Sequence, residues 1–560
     1  MNNIIFTAVT FIGFTALVAL ISWWKTRDDN LETQDGYYLA GRNLTGGIIA
    51  GSLLMTNLSA EQLVGNNGQA VRIGMSPMGW EVTSAIALVI LAFVLMPKYL
   101  QTGLTTVPEF FEERYDASTR RLVSFIVLMS YVIIMLPNVL YAGAQVFVNI
   151  FSFDQLVANV TGLSLEAGVP FYQSAKFWAI AIVCIATAIV GSLYAICGGL
   201  KAIALSDSIN GIGLIIGGLL VPIFGLCALG AVHGGGFFEG LDAFVNTDPT
   251  LLNAIDAPNL NEPYLPWPLL FTGLLVNNLY FWATNQSIIQ RTFGAKNLKE
   301  AQRGAIFAGF LKILTPIIIV IPGIIARLLY TNVTDWGNGD TAYPMLVADV
   351  MPKWLLGFFA AVMFGAILSS FNSILNSAST IYALDIHRPV FSPDASDAHM
   401  VKIGQTFGTI VAIISTVMSP FFMYAGGITS TVNSAFAAFN TPLFVCLFVG
   451  FFWKKVPSIA AKIVIPIHVV IYFFLQFYLR NKVAALANVH YLYFTAALFV
   501  FDMLLMLLIV KVHPRETDFV LHDAKVVDMT PWKTGKIWAA VSLVIMLLAY
   551  VVFSPLGLGA

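Results

Sequence analysis

Apolar stretches long enough to cross a lipid bilayer recur along the whole of this 560-residue chain. A spanning helix needs about 20 mostly apolar residues, whereas a soluble domain has about 25% charged residues. In this chain only 11% of the residues are charged and 58% are hydrophobic. The net charge of −1 and the lack of a basic run give no indication of nucleic-acid binding. The composition therefore predicts an all-α polytopic membrane protein.

Fourteen spans are predicted from these stretches. They lie near 4–24, 46–67, 78–98, 122–150, 174–197, 203–232, 266–290, 304–327, 355–384, 402–424, 428–452, 460–480, 488–510 and 537–556. The first span is too long for a signal-peptide core and lacks a small-residue cleavage site, so we expect it to remain uncleaved. Most of the 29 lysine and arginine residues, including Arg291, fall in alternate loops. Basic loops favour the cytoplasmic side, which predicts that both termini lie outside.

Polar residues interrupt two of these spans. The second contains TNLSAEQLVGNNGQA (56–70), where Gly65 and Gly68 are expected to weaken the helix. The seventh contains NNLYFWATNQ (277–286). Interrupted helices at matching places in two halves indicate a transporter built from inverted repeats, with its site at the membrane midplane. The alternative for the first stretch is a surface loop.

A cation site is indicated by FGAILSSFNSILNSAST in the ninth span. Ala366, Ser369 and Ser370 share one helical face because they lie at positions i, i+3 and i+4. Two hydroxyls and a carbonyl can bind a hard cation at about 2.4 Å. Carbonyl groups near Met55 and Leu58 can complete the coordination if the second span is unwound there. The alternatives are close packing of two helices through small residues and serines that bond back to their own helix.

Charged residues inside a span are functional hypotheses by default. Glu81 and Ser84 share a helical face beside Trp80, and a carboxylate next to an aromatic ring suits a polyhydroxylated ligand such as a sugar. Lys312 either pairs with Glu81 in a structural ion pair or donates to ligand hydroxyls. Asp207 lies near a predicted helix end, where the helix dipole would stabilise a carboxylate without any functional role.

Several motifs in the same order resemble the solute:sodium symporter family, in its sodium/glucose cotransporter branch. They are TNLSAEQLVG, GWEVTSAI, NNLYFWATNQSIIQRT, FGAILSSFNSILNSASTIYALDI and FVGFFWKK. The stretches GMSPMGWEVTSA and DSINGIGL resemble in particular uncharacterised bacterial sodium/sugar symporters. The resemblance extends from about Tyr37 to Lys455. It implies sodium-driven uptake of a sugar or other polyhydroxylated solute across the bacterial inner membrane by alternating access.

The resemblance also implies an architecture, a LeuT-type fold of fourteen helices with a 5+5 inverted repeat and flanking helices. Residues 1–45 would form an extra helix and a cytoplasmic loop. Residues 46–452 would form the transporter core, with repeats at about 46–232 and 266–452. Residues 453–560 would add three C-terminal helices.

Roles for individual residues follow from the same resemblance. Sodium would be bound by the carbonyl groups of Met55, Leu58 and Ala366 and the hydroxyls of Ser369 and Ser370. The substrate would contact Gln62, Asn66, Trp80, Glu81, Ser84, Asn278, Lys312 and Asn433. Phe281 stands at the family's inner-gate tyrosine and so lacks a hydroxyl, which its neighbour Tyr280 would supply. A second sodium ion would lie at Asp207, Asn372 and Ser373.

Two other functions remain as alternatives. A symporter of the same fold for an organic anion or an amino acid would need an arginine or a free helix N-terminus in the cavity, and no arginine is expected near the breaks at membrane depth. A membrane enzyme acting on lipid-linked sugar, with Glu81 as acid or base, would need a second carboxylate at similar depth. The sequence predicts no catalytic residue, no nucleic-acid partner and no obligate protein partner. It predicts a small-molecule substrate, sodium as the coupling ion and membrane lipid as surroundings.

Overall fold

The computed structural model describes residues 2–166, 168–255, 265–337, 339–424 and 428–559, and within these ranges it contains helices and connecting segments but no β-strand. In chain order the main helices are α1 (Asn2–Thr26), α2 (Gly46–Asn57), α3 (Ala60–Ile73), α4 (Met78–Thr102), α5 (Ala117–Phe151), α6 (Ala175–Ser192), α7 (Gly198–Val232), α8 (Gly273–Ala283), α9 (Gln286–Phe293), α10 (Leu298–Leu329), α11 (Leu356–Phe391), α12 (Asp397–Tyr424), α13 (Ile428–Phe452), α14 (Ile459–Lys482), α15 (Tyr491–Val512) and α16 (Gly535–Val552). Shorter helices in the connections include Gln34–Leu39, Val107–Arg114, Phe153–Thr161, Phe237–Asn246 and Ala342–Val350.

Ten stretches of the described chain are long and apolar enough to cross a membrane. They are α1, α4, α5, α6 together with α7, α10, α11, α12, α14, α15 and α16. The prediction of an all-α polytopic membrane protein is therefore confirmed. Length and hydropathy identify fewer spans than the fourteen predicted, partly because α6 and α7 form one stretch that kinks at Gly199 (φ 61°).

The second predicted span is divided into α2 and α3. Leu58 has φ −76° and ψ 75°, outside the helical region, and so ends α2. The Ser59 hydroxyl then accepts a hydrogen bond of 3.2 Å from the Gln62 backbone N–H and caps α3. An N-cap serine satisfies one of the free N–H groups of a helix start. The surface-loop alternative is wrong, because a capped helix follows the break directly.

The prediction that Gly65 and Gly68 weaken the second span is also wrong. Both glycines lie inside α3, and the interruption comes earlier, at Leu58 and Ser59. Gly68 serves close packing instead, because a Cβ there would lie 2.9 Å from the carbonyl carbon of Gly339.

The seventh predicted span is divided in the same way into α8 and α9. The N–H groups of Thr284 and Asn285 both donate to the Tyr280 carbonyl, at 2.8 and 3.0 Å, which closes the end of α8. Asn285 caps α9 by accepting a 3.1 Å hydrogen bond from the Ser287 N–H. The interruption predicted from the polar run is thus present.

Helix α11 lies at the centre of the molecule and is buried along nearly its whole length. It packs against α1, α2, α5, α6, α7 and α12, while α2 also packs between α7 and α10. Helix α8 packs against α4, α13 and α15. The outer helices expose apolar side chains such as Trp23, Val470 and Leu548, as expected for surfaces that face lipid. Both divided spans therefore contact the buried central helix α11, through α2 and through α9.

The connection between α15 and α16 is a mostly extended segment, here called the strap (513–534). It crosses one end of the helix bundle. The Ala524 N–H donates to the Gln101 carbonyl at 2.9 Å, and the Leu298 N–H donates to the Asp528 carbonyl at 3.0 Å. The strap thus connects the end of α4 with the start of α10.

Candidate functional site

The end of α2 meets α11 through hydroxyl groups. The Ser370 hydroxyl donates to the Thr56 carbonyl at 3.3 Å. The hydroxyls of Thr56 and Ser373 lie 3.0 Å apart, and the Ser373 hydroxyl donates to the Ser369 carbonyl at 2.5 Å. The structure therefore brings the break in the second span and the serine pair of the ninth span together, as the sequence predicted.

The predicted sodium ligands are all buried at this junction. The main chains of Met55, Leu58 and Ala366 lie in the core, and the Ser369 hydroxyl is buried without a hydrogen bond within 3.5 Å in the described chain. Ser369 lies close enough to Asp207 to interact with its carboxylate. A buried hydroxyl without a hydrogen bond is unusual and calls for a missing partner. Hydroxyl and carbonyl oxygens suit a hard cation, so this set of donors fits sodium.

A buried ion pair lies next to these serines. Asp207 accepts a 2.7 Å hydrogen bond from the Ser52 hydroxyl, which in turn accepts a 2.8 Å hydrogen bond from Arg291 Nε. Arg291 and Asp207 are 3.7 Å apart and are 0% and 1% exposed. Arg291 also donates to the Ser373 hydroxyl and to the Ser287 carbonyl. This network joins α2, α7, α9 and α11.

Two predictions are corrected by this network. Asp207 is not near a helix end, because α7 begins at Gly198, so the helix-dipole explanation is wrong. Arg291 is not in a loop but is fully buried beside both breaks. The prediction that no arginine lies near the breaks is therefore wrong. Hydropathy placed Arg291 in a loop because it follows the polar residues of the seventh span.

The residues predicted to bind a second sodium ion are only partly brought together. Ser373 and Asp207 both contact Arg291. Asn372 faces α6 instead, since a Cβ at Gly191 would lie 2.7 Å from Asn372 Oδ1. That oxygen has no hydrogen-bond partner in the described chain.

The two charges predicted within spans form an ion pair. Lys312 donates to Glu81 Oε2 and also to Asn57 Oδ1 at the end of α2. The Thr315 hydroxyl donates to the same Glu81 oxygen at 3.0 Å. Lys312 Nζ also lies 5.9 Å from the centre of the Trp282 ring, within the range of a cation–π interaction. Of the two alternatives for Lys312, the structure shows the ion pair, and Asn57 connects that pair to the break.

Other predicted substrate residues surround this pair. Asn278 Nδ2 donates to the Thr83 hydroxyl at 2.9 Å. The Ser84 hydroxyl donates to the carbonyl of Trp80 at 3.2 Å. The Trp80 ring is partly exposed and lies 6.4 Å from the ring of His490. Asn278 and Ser84 are thus hydrogen-bonded within the protein, while Trp80 packs against the apolar cluster around Leu265 and remains partly exposed.

The remaining predicted residues differ in their surroundings. Gln62 has a buried Oε1 with no hydrogen-bond partner in the described chain, and Asn66 is partly exposed on α3. Phe281 is partly buried, its ring edge-on to Trp282, whereas Tyr280 is buried at the end of α8. Asn433 belongs to α13, but its side chain lies outside the described residues.

Sequence reasoning missed residues that hold the site together. Ser52 and Thr56 lie one turn apart on α2, a spacing that marks a shared polar face. Tyr131 on α5 donates to Asn285 Oδ1 and accepts a 3.1 Å hydrogen bond from the Ser287 N–H, so it supports the break before α9. Nothing in the local sequence around Tyr131 indicates this contact, because it lies in an apolar run.

Comparison with known families decides the identity of this arrangement. The sodium:solute symporter family profile matches residues 37–167 and 156–465. The chain belongs to the sodium:solute symporter family. It is a sodium-coupled solute transporter with Na⁺ as the coupling ion. Members of the family are transporters and not enzymes, so the membrane-enzyme alternative is wrong.

Relatives of this symporter match between 80% and 98% of its length. It is 41% identical over 550 residues to the uncharacterized symporter YidK of Escherichia coli (strain K12), covering 98% of this chain and 91% of that one. It is 30% identical to the sodium/glucose cotransporter of Vibrio parahaemolyticus, covering 84% of each chain. It is 27% identical to the human sodium/myo-inositol cotransporter 2, covering 80% of this chain and 66% of the other. The predicted family and branch are therefore confirmed.

Solved structures share the fold of the symporter. A sodium-coupled sialic acid symporter in a substrate-bound outward-open state aligns with a TM-score of 0.74 at 16% identity, covering 91% of this chain and 99% of that one. MHP1, a nucleobase-cation-symport-1 family transporter, aligns in a closed conformation with a TM-score of 0.51 at 13% identity, covering 89% and 97%. At such identities the likeness shows the fold alone, the LeuT-type fold of these transporters.

Proposed function

We propose that this symporter imports a sugar or another polyhydroxylated solute together with sodium by alternating access. The observation that carries the proposal is the Glu81–Lys312 ion pair bonded to Asn57 at the break in the second span. It places a strong acceptor and a strong donor beside an interrupted helix, where they can exchange their mutual hydrogen bonds for those of a hydroxyl-rich ligand. The names of relatives, sodium/glucose and sodium/myo-inositol cotransporters, point to the same chemical class.

The proposed sodium site consists of the carbonyl groups of Met55, Leu58 and Ala366 and the hydroxyls of Ser369 and Ser370. Its support is the buried Ser369 hydroxyl, which lies beside Asp207 but makes no hydrogen bond within 3.5 Å in the described chain, and the bond from Ser370 to the end of α2. An ion held there would fix the end of α2, and with it Asn57 and the substrate-binding pair. Sodium and substrate would then each raise the affinity of the other by a reciprocal coupling of about 1–3 kcal/mol.

The proposed substrate site adds further residues to the ion pair. They are Gln62, Asn66, Trp80, Ser84, Asn278 and Asn433, with Phe281 and Tyr280 as the inner gate. Gln62 is the best supported of these, because its buried Oε1 has no hydrogen-bond partner among the described residues. A second sodium ion at Asp207, Asn372 and Ser373 has weaker support, because Arg291 already contacts Asp207 and Ser373 while Asn372 faces α6.

The proposal includes the finer architecture. It has fourteen spans, repeats at about 46–232 and 266–452, an added N-terminal segment (1–45) and three added C-terminal helices (453–560). The divided helices, α2 with α3 and α8 with α9, support the repeats because each has a break capped by a polar side chain. The location is the bacterial inner membrane, for which the E. coli relative gives support. Both termini lie outside, an orientation supported by the distribution of lysine and arginine residues among the loops.

An organic anion or an amino acid remains the rival substrate class. The buried Arg291 supplies the cation that this rival needs. Its guanidinium, however, already bonds Ser52, Ser287 and Ser373 and lies 3.7 Å from Asp207. It has little free capacity for a carboxylate ligand, so the sugar class is favoured.

The test is uptake into vesicles that contain the purified protein. Labelled hexoses, inositols, sugar acids and amino acids are offered with an inward sodium gradient and, as control, with an equal potassium gradient. We expect sodium-dependent accumulation of a neutral hexose or inositol. Accumulation of only an amino acid would overturn the proposal in favour of the rival class.

A further inference from the structure

The residues offered for a second sodium ion already surround a positive charge of the protein itself. Arg291 and Asp207 are 0% and 1% exposed, with Nη2 of the arginine 3.7 Å from Oδ2 of the aspartate. The Ser52 hydroxyl joins them, because it donates to Asp207 Oδ2 at 2.7 Å and accepts from Arg291 Nε at 2.8 Å. Arg291 also donates to the Ser373 hydroxyl and to the Ser287 carbonyl. The guanidinium thus contacts two of the three residues that a second sodium ion would need.

Both lone pairs of the Ser373 hydroxyl oxygen are already in use. A hydroxyl has one proton to donate and two lone pairs that accept. The Ser373 proton goes to the Ser369 carbonyl at 2.5 Å. One lone pair accepts from Arg291, and the other accepts from the Thr56 hydroxyl at 3.0 Å, which must be the donor because the Ser373 proton is occupied. A sodium ion at Ser373 would therefore have to displace one of these two donors.

The third residue, Asn372, lies on another face of α11. A Cβ at Gly191 on α6 would lie 2.7 Å from Asn372 Oδ1, and adjacent residues of a helix such as Asn372 and Ser373 do not share a face. Asp207 keeps one oxygen, Oδ1, without a hydrogen bond in the described chain, and Ser369 of the proposed sodium site lies close enough to interact with this carboxylate. A hard cation takes several oxygen ligands, and the three residues do not bring several together.

The charges of the buried pair argue in the same direction. Asp207 carries one negative charge and Arg291 one positive charge, so the pair is neutral overall. A second sodium ion bound by the same carboxylate would face the guanidinium across a few ångströms. Like charges that close repel strongly in a buried site, and an uncompensated charge in an apolar interior is disfavoured. The pair is therefore complete without a second metal ion.

We propose that Arg291 permanently fills the second cation position and that the symporter carries one sodium ion per substrate molecule. This stoichiometry rests on the proposed function, since the single ion is the one placed at Ser369 and Ser370. The guanidinium holds α2, α7, α9 and α11 together as a second bound ion would, but it is part of the chain and does not leave with the substrate. Transport of a neutral solute then moves one elementary charge across the membrane in each cycle.

The first arm of the test counts the ions bound by the unmodified protein. Equilibrium binding of radioactive sodium to purified protein in lipid nanodiscs requires no substrate, and choline replaces sodium to hold the ionic strength constant. We expect saturation at one ion per chain, and saturation at two ions would overturn the proposal. Ser369→Ala tests the proposed sodium site separately. If this variant still binds one ion as tightly as the wild type, the ion lies elsewhere, while the stoichiometry of one ion stands.

The second arm removes the guanidinium. Arg291→Ala leaves the Asp207 carboxylate without its counter-charge and opens space beside it, whereas the control Arg291→Lys keeps a positive charge. We expect Arg291→Ala to bind two sodium ions and Arg291→Lys to bind one. The unfolding temperature of Arg291→Ala should also rise more steeply with sodium concentration than that of the wild type, because a ligand that binds only the folded state stabilises it.

Two results of this arm have fixed meanings. If Arg291→Ala binds one ion and its unfolding temperature depends on sodium as in the wild type, the guanidinium does not fill a cation position and the proposal is wrong. If Arg291→Ala does not fold, the ion count on the unmodified protein decides. The ratio of radioactive sodium to labelled solute taken up by vesicles gives an independent measure, for which we expect one to one. A ratio of two to one would overturn the proposal.

Discussion

Ser369 gives the most direct test at the scale of one residue, because its buried hydroxyl makes no hydrogen bond within 3.5 Å in the part of the chain that the structure describes. We expect Ser369→Ala to raise the sodium concentration for half-maximal uptake by about tenfold, equivalent to about 1.4 kcal/mol. The unfolding temperature should change little, because the Ser369 hydroxyl makes no hydrogen bond within 3.5 Å in the described chain and its interaction with the Asp207 carboxylate is weak. Ser379→Ala is the control on the same helix, because Ser379 bonds only back to the Leu375 carbonyl. Equal sodium activation in both variants would remove Ser369 from the sodium site.

Variants of Glu81 and Lys312 can distinguish a structural role of this ion pair from a role in substrate binding. Glu81→Gln leaves the Lys312 ammonium buried without its counter-charge, a change that typically costs about 3–5 kcal/mol. We expect this variant to unfold at a lower temperature and to lose substrate binding more than sodium binding. The double variant Glu81→Gln/Lys312→Met should recover stability but not uptake, as measured by thermal unfolding and vesicle transport. Recovery of uptake together with stability would show that the pair is purely structural.

Sequence spacing could identify residues that act within one helix but not partners on different helices. The face formed by Ala366, Ser369 and Ser370 follows from their i, i+3, i+4 positions and indeed meets the break. Arg291 was misplaced because charge alone suggests a loop, and its partner Asp207 lies on a distant helix. A buried charged residue can be recognised only when the position of its ion-pair partner in the fold is known.

At the scale of the element, the capped breaks determine the shape of the site. Asn285 caps α9 and also accepts a hydrogen bond from Tyr131. We expect Asn285→Ala to lower stability by about 1 kcal/mol, the usual loss of an N-cap, and to slow uptake because the break loses its fixed geometry. Thermal unfolding and initial uptake rates measure the two effects, and Asn285→Asp should restore both.

A matched control lies at the start of the next helix. Asn297 caps α10 by accepting a 2.9 Å hydrogen bond from the Glu300 N–H, away from the break. Asn297→Ala should lower stability similarly while uptake per folded molecule is retained. If Asn297→Ala slows uptake as much as Asn285→Ala does, the break geometry is not what limits transport.

The existence of both breaks was predictable, but the position of the first was not. Glycine propensity pointed to Gly65 and Gly68, yet both are helical and the break lies at Leu58 and the capping Ser59, because tertiary contacts override helix propensity. Gly68 instead allows close approach to Gly339, a residue far away in the sequence. The local sequence therefore reveals the capping residue Ser59, but it does not reveal the contact with Gly339 that explains the glycine at position 68.

At the scale of the whole molecule, the strap supports the predicted sidedness. It bonds Gln101, Lys454 and Leu298, which lie in or beside loops that the distribution of basic residues places in the cytoplasm. We expect a cysteine at Asp523 to react with a membrane-impermeant maleimide only after cells are permeabilised. A cysteine at Asp242, on the exposed helix Phe237–Asn246, should react in intact cells.

The labelling background must lack the four native cysteines, since Cys197 is exposed. Uptake by the cysteine-free protein is the control for correct folding. If the cysteine of Asp523→Cys reacts in intact cells, the strap lies outside the cytoplasm and the predicted topology is wrong. Hydropathy alone could not determine the membrane topology. It joins α6 and α7 into one stretch and does not identify the divided helices as spans.

The strap also sets a geometric limit on movement. Its anchors at Ala524 and Asp528 are four residues apart, and an extended chain reaches at most about 3.6 Å per residue. The two anchor residues of the strap can therefore lie no more than about 14 Å apart. If the end of α4 and the start of α10 separate further, one of the two main-chain hydrogen bonds to the strap must break. The strap thus limits the separation of these two helix ends, and a wider gap at this end of the bundle has to open elsewhere along its rim.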